Sequence, residues 1–327
     1  MTLDALVQTL RASRGFGHKR DIAGMLSSLG RIAPQMAASV KMAVDVGDDC
    51  AALQDADGYL LFAIEGLVSD FIGTMPWFAG YSAVMVNVSD VYAMGGRPIA
   101  VVDALWSDGV DGAAEVLQGM AAASAAYGVP VVGGHSNARS AQGQLAVAIL
   151  GRARCLLSSF AAHPGQRLLM AVDLRGAFME PYPYWNASTG APSERLRADL
   201  ELLPVLAEEG LCAAAKDISM AGTLGTALML LECSGVGAAI SLDALPRPQG
   251  VPLDRWLTAF PSYGFLLAVD DAHEEDVARR FRERGIACAA IGTIDDSRAV
   301  TLTQAGERAV LWDFREAAFI LPETSHA

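Results

Sequence analysis

Asn87-Val88-Ser89-Asp90, followed closely by Ala93-Met94-Gly95-Gly96-Arg97-Pro98, is the stretch on which the reading of this chain turns. It places an amide, a hydroxyl and a carboxylate near the C-terminal end of an apolar segment, residues 79–94, that reads as a helix. Residues three and four apart share a helix face, so Asn87, Asp90 and Met94 point roughly the same way. Gly95 suits a helix C-cap, and Pro98 keeps the helix from resuming. Burying Asn and Asp unpaired costs about 1–3 kcal/mol each, so an apolar helix has no structural need for them. A solvent-facing polar edge would remove that cost. The flanking Val84, Val86, Val88 and Val91 leave little exposed surface for one.

Working outward from this helix gives an α/β pattern. Residues 42–53 and 59–67 read as strands joined by Asp55-Ala56-Asp57-Gly58, an Asp-Gly hairpin signal. That turn lacks the Glu that closes a calcium loop at its twelfth position. After the helix come a strand at 99–105, a helix at 112–127 stopped by Gly128, and a strand at 129–132. A Gly133-Gly134 turn and a strand at 144–150 complete a ββαβαββ unit. Its strands alternate weakly, as strands covered on both faces do. Upstream, helices at 3–12 and 20–30 flank a Gly-rich segment, Ser13 to Lys19, expected to be mobile. Downstream, strands are expected at 168–172, 237–242, 263–269, 288–294 and 299–303, and helices at 193–209, 221–234 and 272–284. A long loop at 176–192 carries Tyr182-Pro183-Tyr184-Trp185-Asn186. It shapes an acceptor pocket or forms a surface or dimer contact.

The 327 residues predict two domains, 1–153 and 154–327. A hydrophobic content of 52% and a mean hydropathy of +0.31 supply ample cores. The net charge of −13 argues against nucleic-acid binding, because phosphate backbones need Lys and Arg to neutralise them. Five scattered cysteines with no metal-site spacing predict reduced thiols and a cytoplasmic protein. The N-terminus has no basic-then-apolar signal, and no apolar run reaches the ~20 residues needed to span a bilayer.

Five further constellations carry possible chemistry. Val46-Gly47-Asp48-Asp49-Cys50-Ala51 puts two carboxylates in a predicted strand, where adjacent side chains point to opposite faces. Glu65 stands alone in the apolar run 60–68. It either faces solvent at an edge or is buried with a partner or a metal. Val131-Val132-Gly133-Gly134-His135-Ser136 ends a strand with amides that could face an anion, or makes an ordinary tight turn. In Lys216-Asp217-Ile218-Ser219-Met220-Ala221-Gly222, Asp217 or Ser219 could simply cap the next helix. Gly15 to Lys19 is either a cationic lid or a connector. No Walker A loop and no Gly-x-Gly-x-x-Gly fingerprint occurs, so ATP would have to bind through carboxylate-held Mg²⁺.

Taken together and in this order, the motifs resemble the superfamily of aminoimidazole ribonucleotide (AIR) synthetase. Its members include thiamine-monophosphate kinase, selenophosphate synthetase, a hydrogenase-maturation protein and formylglycinamide ribonucleotide synthetase. The resemblance covers nearly the whole chain and includes Pro164-Gly165 and Tyr263-Gly264-Phe265-Leu266-Leu267. It implies a two-domain AIR-synthetase-like fold and a homodimer whose N-terminal sheets join in a barrel, with ATP sites near the dimer interface. It implies that Asp49, Asp90 and Asp217 bind Mg²⁺ and that Lys19 and His135 act on the phosphates. Asp48, Glu65, Asn87, Gly133, Gly134 and Ser136 complete the expected nucleotide site. Three departures separate the chain from the best-known activities. Gly15 to Lys19 holds no Cys, unlike the selenophosphate enzyme. His135 and Met220 stand where the kinase has Asp. The expectation is a Mg²⁺- and ATP-dependent enzyme that phosphorylates or activates a small-molecule acceptor; a non-catalytic nucleotide-binding scaffold is the rival reading.

Overall fold

The computed structural model describes residues 2–32 and 42–322. It divides into two compact units. One holds Met1–Asp48, Leu157–Thr189 and Glu209–Ala327; the other holds Asp49–Leu156 and Gly190–Glu208. These units differ from a split into 1–153 and 154–327, since residues 2–32 and 42–48 group with the second half and residues 190–208 with the first. Helices α1 (Leu3–Arg11) and α2 (Arg14–Ile32) open the chain. The Gly-rich segment expected to be mobile lies inside α2. Ser13 Oγ accepts the Phe16 N–H at 3.3 Å at its start. Phe16 is fully buried, edge-on to Phe319 at 5.3 Å. A Cβ on Gly15 would lie 2.6 Å from the Met220 carbonyl oxygen. Each helical glycine costs about 1 kcal/mol against alanine, and this packing offsets it.

The 49–156 unit contains β1 (Ala51–Asp55), β2 (Gly58–Leu67), α3 (Ser69–Thr74), α4 (Pro76–Ala93), β3 (Gly96–Asp108), α5 (Ala114–Tyr127), β4 (Val131–Asn137) and β5 (Arg139–Ala153). The sheet order is β1-β2-β5-β3-β4, antiparallel except for β3 and β4. Two sequence expectations fail here. The first strand begins at Ala51, not Met42, so Asp48 and Asp49 lie in the irregular chain before it and not within a strand. Gly133 and Gly134 lie inside β4, not in a turn. A Cβ on Gly134 would sit 2.3 Å from Asp103 Oδ1, so the glycine marks a close approach within the sheet.

α4 and α5 cover one sheet face. They approach so closely that a Cβ on Gly80 would lie 2.0 Å from Val116 O, and one on Gly119 1.9 Å from Trp77 O. Val91 seats on the sheet above Gly96 and Gly151, where an added Cβ would be 3.2 and 2.5 Å from its methyl. This packing explains why nearly all of α4 is buried, including Asn87, Ser89 and Asp90. Alternation along the strands leaves Phe62, Ile64, Leu150 and Val102 on the other face. Phe62 is 52% and Ile64 65% exposed. The expected helix at 193–209 is two helices, α6 (Ser193–Leu200) and α7 (Leu202–Glu208). Pro204 has no N–H to continue α6, and it fits the first turn of α7. Arg97 donates to Glu201 at 2.6 Å and to Glu208 at 2.6 Å, tying α7 to the start of β3.

The other unit continues with β6 (Arg167–Val172), β7 (Ala177–Phe178), β8 (Tyr184–Asn186), β9 (Ala214–Asp217), α8 (Gly222–Cys233), β10 (Gly237–Ser241), α9 (Leu253–Leu257), β11 (Phe260–Pro261), β12 (Gly264–Val269), α10 (Glu274–Glu283), β13 (Ala287–Asp295), β14 (Ala299–Gln304) and β15 (Glu307–Asp313). Seven strands form a sheet in the order β15-β14-β10-β13-β6-β12-β9, and β11-β8-β7 form a small one. β7 and β8 lie within the stretch read as a loop. β9, β11, β15, α3 and α9 had no counterpart in the sequence reading. α8 packs on β9, β10 and β12, and α10 on β6 and β13. All twelve residues of α8 are buried. No described helix is long and apolar enough to cross a membrane.

Candidate functional site

Asp90 sits in the last turn of α4, and Asp49 precedes β1 by two residues. The fold brings them together: a carboxylate oxygen of each lies within 4.8 Å of the other. Asp90 is 6% exposed and Asp49 half-buried. Two carboxylates this close and this dry repel one another, so a cation between them lowers their energy. One turn earlier, Asn87 is fully buried. Its Nδ2 donates to Ala83 O at 2.7 Å, within the helix. Its Oδ1 has no hydrogen-bond partner among the described residues. Asn87 lies three residues before Asp90 on the same helix face, so a carbonyl oxygen and two carboxylates are available as hard oxygen donors for a divalent cation.

A row of residues crosses the helix-covered face of the sheet. Glu65 on β2 pairs with Val147 on β5, Val147 with Asp103 on β3, and Asp103 with Gly134 on β4. Burial is the main cause holding the Asp103 carboxyl above the ordinary carboxylate range. The sequence reading missed Asp103. The available signal was a lone carboxylate in the apolar run 99–105. Glu65 itself is exposed. Ser136 follows Gly134 by two residues and shares its side of the strand. His135 falls on the opposite side, its ring centroid 6.1 Å from that of Trp106. The structure therefore separates His135 from the face that carries Asp103 and Gly134. Gly133 lies beside Val102 on His135's side.

Asp48 accepts hydrogen bonds from Ser158 Oγ at 2.7 Å, the Ser159 N–H at 3.0 Å and Ser159 Oγ at 2.7 Å. These bonds use both carboxylate oxygens to fix the 157–162 segment. In the same unit, Asp217 ends β9 and is 5% exposed, next to Lys216 at 4%. The chain turns sharply after them at Gly222, with φ +67° and a would-be Cβ 2.0 Å from Leu257 O. No side chain caps α8, so helix capping by Ser219 does not explain this motif. Ser219 Oγ lacks a partner among the described residues. Lys19 lies on α2, half-buried, and makes no ion pair among the described residues.

The AIR synthase related protein N-terminal domain matches residues 47–153, and the corresponding C-terminal domain matches residues 185–304. An uncharacterised protein of Synechocystis sp. is 47% identical over 96% of this chain and 97% of its own length. The chain belongs to the AIR synthase-related family. An uncharacterised protein from Methanocaldococcus jannaschii is 31% identical over 84% of this chain and 86% of its own length. Thermotoga maritima PurL complexed with ATP matches with a TM-score of 0.70 at 18% identity, over 88% of this chain. This chain spans about half of that one, 49%. AaThiL complexed with AMPPCP and TMP matches with a TM-score of 0.62 at 20% identity, over 88% of this chain and 94% of that chain. At such identities these structures show the fold, which is the mixed α/β two-domain fold of the family.

Proposed function

We propose that this chain is an ATP-using enzyme that phosphorylates or ATP-activates a small molecule, with Mg²⁺ held by Asp49, Asp90 and Asp217. The observation that carries this reading is the approach of Asp49 and Asp90, with the orphaned oxygen of Asn87 one turn earlier on α4. Asp217 is the third carboxylate because it occupies the matching motif of the resemblance. PurL solved with ATP and AaThiL solved with AMPPCP support nucleotide binding by this fold. Bound Mg²⁺ would neutralise phosphate charge in a chain of net charge −13, as phosphoryl transfer requires. Asp49 and Asp90 orient that charge, and α4 excludes water from behind them. Lys19 supplies a cation for the phosphates. Glu65, Gly134 and Ser136, which share one sheet face, line the nucleotide; Gly133 and His135 lie on the opposite face and are left out of it. Asp48 serves the site by fixing the turn that carries Asp49.

The test is thermal unfolding with ATP and Mg²⁺, separately and together. Both together should raise the midpoint by several degrees, since a ligand at a hundred times its Kd adds about 2.7 kcal/mol. No shift from either combination would sink the reading. Nucleotide binding without turnover on any acceptor would favour the scaffold reading.

We also propose that the chain is a cytoplasmic homodimer joined through the exposed sheet face of Phe62, Ile64, Val102 and Leu150. A row of large apolar side chains on one open face is what a self-complementary interface covers. Ile64→Asp should shift the sedimentation coefficient from dimer to monomer. A monomeric parent chain would end the proposal.

A further inference from the structure

Ser158 and Ser159 lie on irregular chain between β5 and β6, 6% and 0% exposed. A hydroxyl buried this deeply needs a hydrogen-bond partner. Both are directed at Asp48. Ser158 Oγ donates to Asp48 Oδ2 at 2.7 Å, Ser159 Oγ to Oδ1 at 2.7 Å, and the Ser159 N–H to Oδ2 at 3.0 Å. The serines are themselves held. The Ser158 N–H donates to Ala213 O at 3.0 Å, one residue before β9, the strand that ends at Asp217. Ser234, at the end of α8, donates from Oγ to Ser159 O at 2.6 Å and accepts the Ala162 N–H at 3.0 Å.

The residue before Asp48 is confined as well. Gly47 has a φ of +138°, which side-chain-bearing residues rarely adopt. A Cβ there would lie 3.4 Å from both Cys233 Sγ and Leu321 Cδ2. Asp48 therefore sits in a cradle made by the 158–162 segment, the end of α8 and the C-terminal segment. The chain leaves that cradle directly into Asp49. A change in the backbone at Asp48 would swing the Asp49 carboxylate relative to Asp90, with which it now shares an approach within 4.8 Å. Metal sites depend on ligand placement to about 0.5 Å. Residues that hold a ligand in place contribute about tenfold to a hundredfold in metal affinity.

We propose that Ser158 and Ser159 are positioning residues for the metal, their hydroxyls acting through Asp48 to hold Asp49 toward Asp90. This rests on the proposed function only in taking Asp49 and Asp90 as metal ligands. The probe is Mn²⁺ alone, a divalent ion that also prefers carboxylate oxygens and whose free form is read by electron spin resonance. It is titrated into the full chain without nucleotide. Urea unfolding of each protein is followed without metal.

The double variant Ser158→Ala, Ser159→Ala should bind Mn²⁺ at least about tenfold more weakly than the parent. If it does not fold, Ser158→Ala alone, which leaves both Ser159 bonds, should show a loss of at least about threefold. Asp48→Asn can keep the three bonds, its carbonyl oxygen accepting from the Ser158 hydroxyl and the Ser159 N–H, and its amide donating to the Ser159 hydroxyl. It should lose less Mn²⁺ affinity than Asp48→Ala. Asp90→Asn should abolish binding. A merely structural clasp gives a lower urea midpoint with parent Mn²⁺ affinity, and that result overturns the assignment. So do equal losses in Asp48→Asn and Asp48→Ala, Mn²⁺ binding retained in Asp90→Asn, and a parent chain that binds no Mn²⁺. A parent that binds Mn²⁺ but does not respond to Mg²⁺ and ATP ends the nucleotide reading, while a Mn²⁺ loss in the serine variants still supports the clasp.

Discussion

Asp90→Asn should cut the affinity for Mg²⁺–ATP at least about a hundredfold, equivalent to about 2.7 kcal/mol. The reason is the environment of Asp90. It is 6% exposed, and a carboxylate oxygen of Asp49 lies within 4.8 Å. A neutral amide keeps the shape but removes one of the charges that make the cation welcome. The same change removes like-charge repulsion in the metal-free chain. The melting temperature without Mg²⁺ should therefore hold or rise, while the response to Mg²⁺ and ATP disappears. A purely structural Asp90 gives the reverse pattern, with lower stability and an unchanged nucleotide response. Calorimetric titration and a melting curve on the same two proteins decide between them. Unaltered Mg²⁺–ATP affinity in the variant rejects the role assigned to Asp90.

Asp90 was legible in the sequence because the helix around it is so apolar that a carboxylate there stands out. The C-terminal end of α4 followed to within one residue, with Gly95 and Pro98 closing the helix, while its start lies three residues earlier than expected, at Pro76. The fold family was legible from the order of several short motifs. The misread elements share a physical cause, which is tertiary contact overriding a local signal. Gly15 and Gly17 read as a flexible segment, but the helix there is held by Phe16 and by the close approach of Gly15 to Met220 O. Gly133-Gly134 reads as a turn, yet Gly134 is a strand residue because Asp103 fills the space a side chain would need. Asp103 was passed over since one carboxylate in a strand looks like an ordinary edge residue. Only strand register places it in a row with Glu65. Their adjacency in the sequence left open which of Asp48 and Asp49 enters the site, and only the resemblance assigned Asp49 to the metal. The structure distinguishes them by partners, with serines holding Asp48 and Asp49 facing Asp90.

Glu232→Ala should be the most damaging substitution away from the site, costing about 3–5 kcal/mol of stability. Glu232 is a buried carboxylate in the last turns of α8. It accepts the backbone N–H groups of Phe319 at 2.6 Å, Ile320 at 2.7 Å and Leu321 at 3.2 Å. Three amide donors satisfy a charge that would otherwise be expensive to bury. Alanine leaves these donors without their acceptor and removes the anchor of the segment. Phe319, which has no exposed surface, packs edge-on against Phe16 and Trp312, both at 5.3 Å. Loosening it therefore also loosens the start of α2, where Arg14 and Lys19 lie. Urea unfolding should show a lower midpoint at an unchanged slope. Glu232→Gln retains one oxygen acceptor and should lose less. If alanine leaves the midpoint where it was, the carboxylate is not what holds the C-terminal segment. If alanine and glutamine lose equally, the charge and not the oxygen geometry sets the stability.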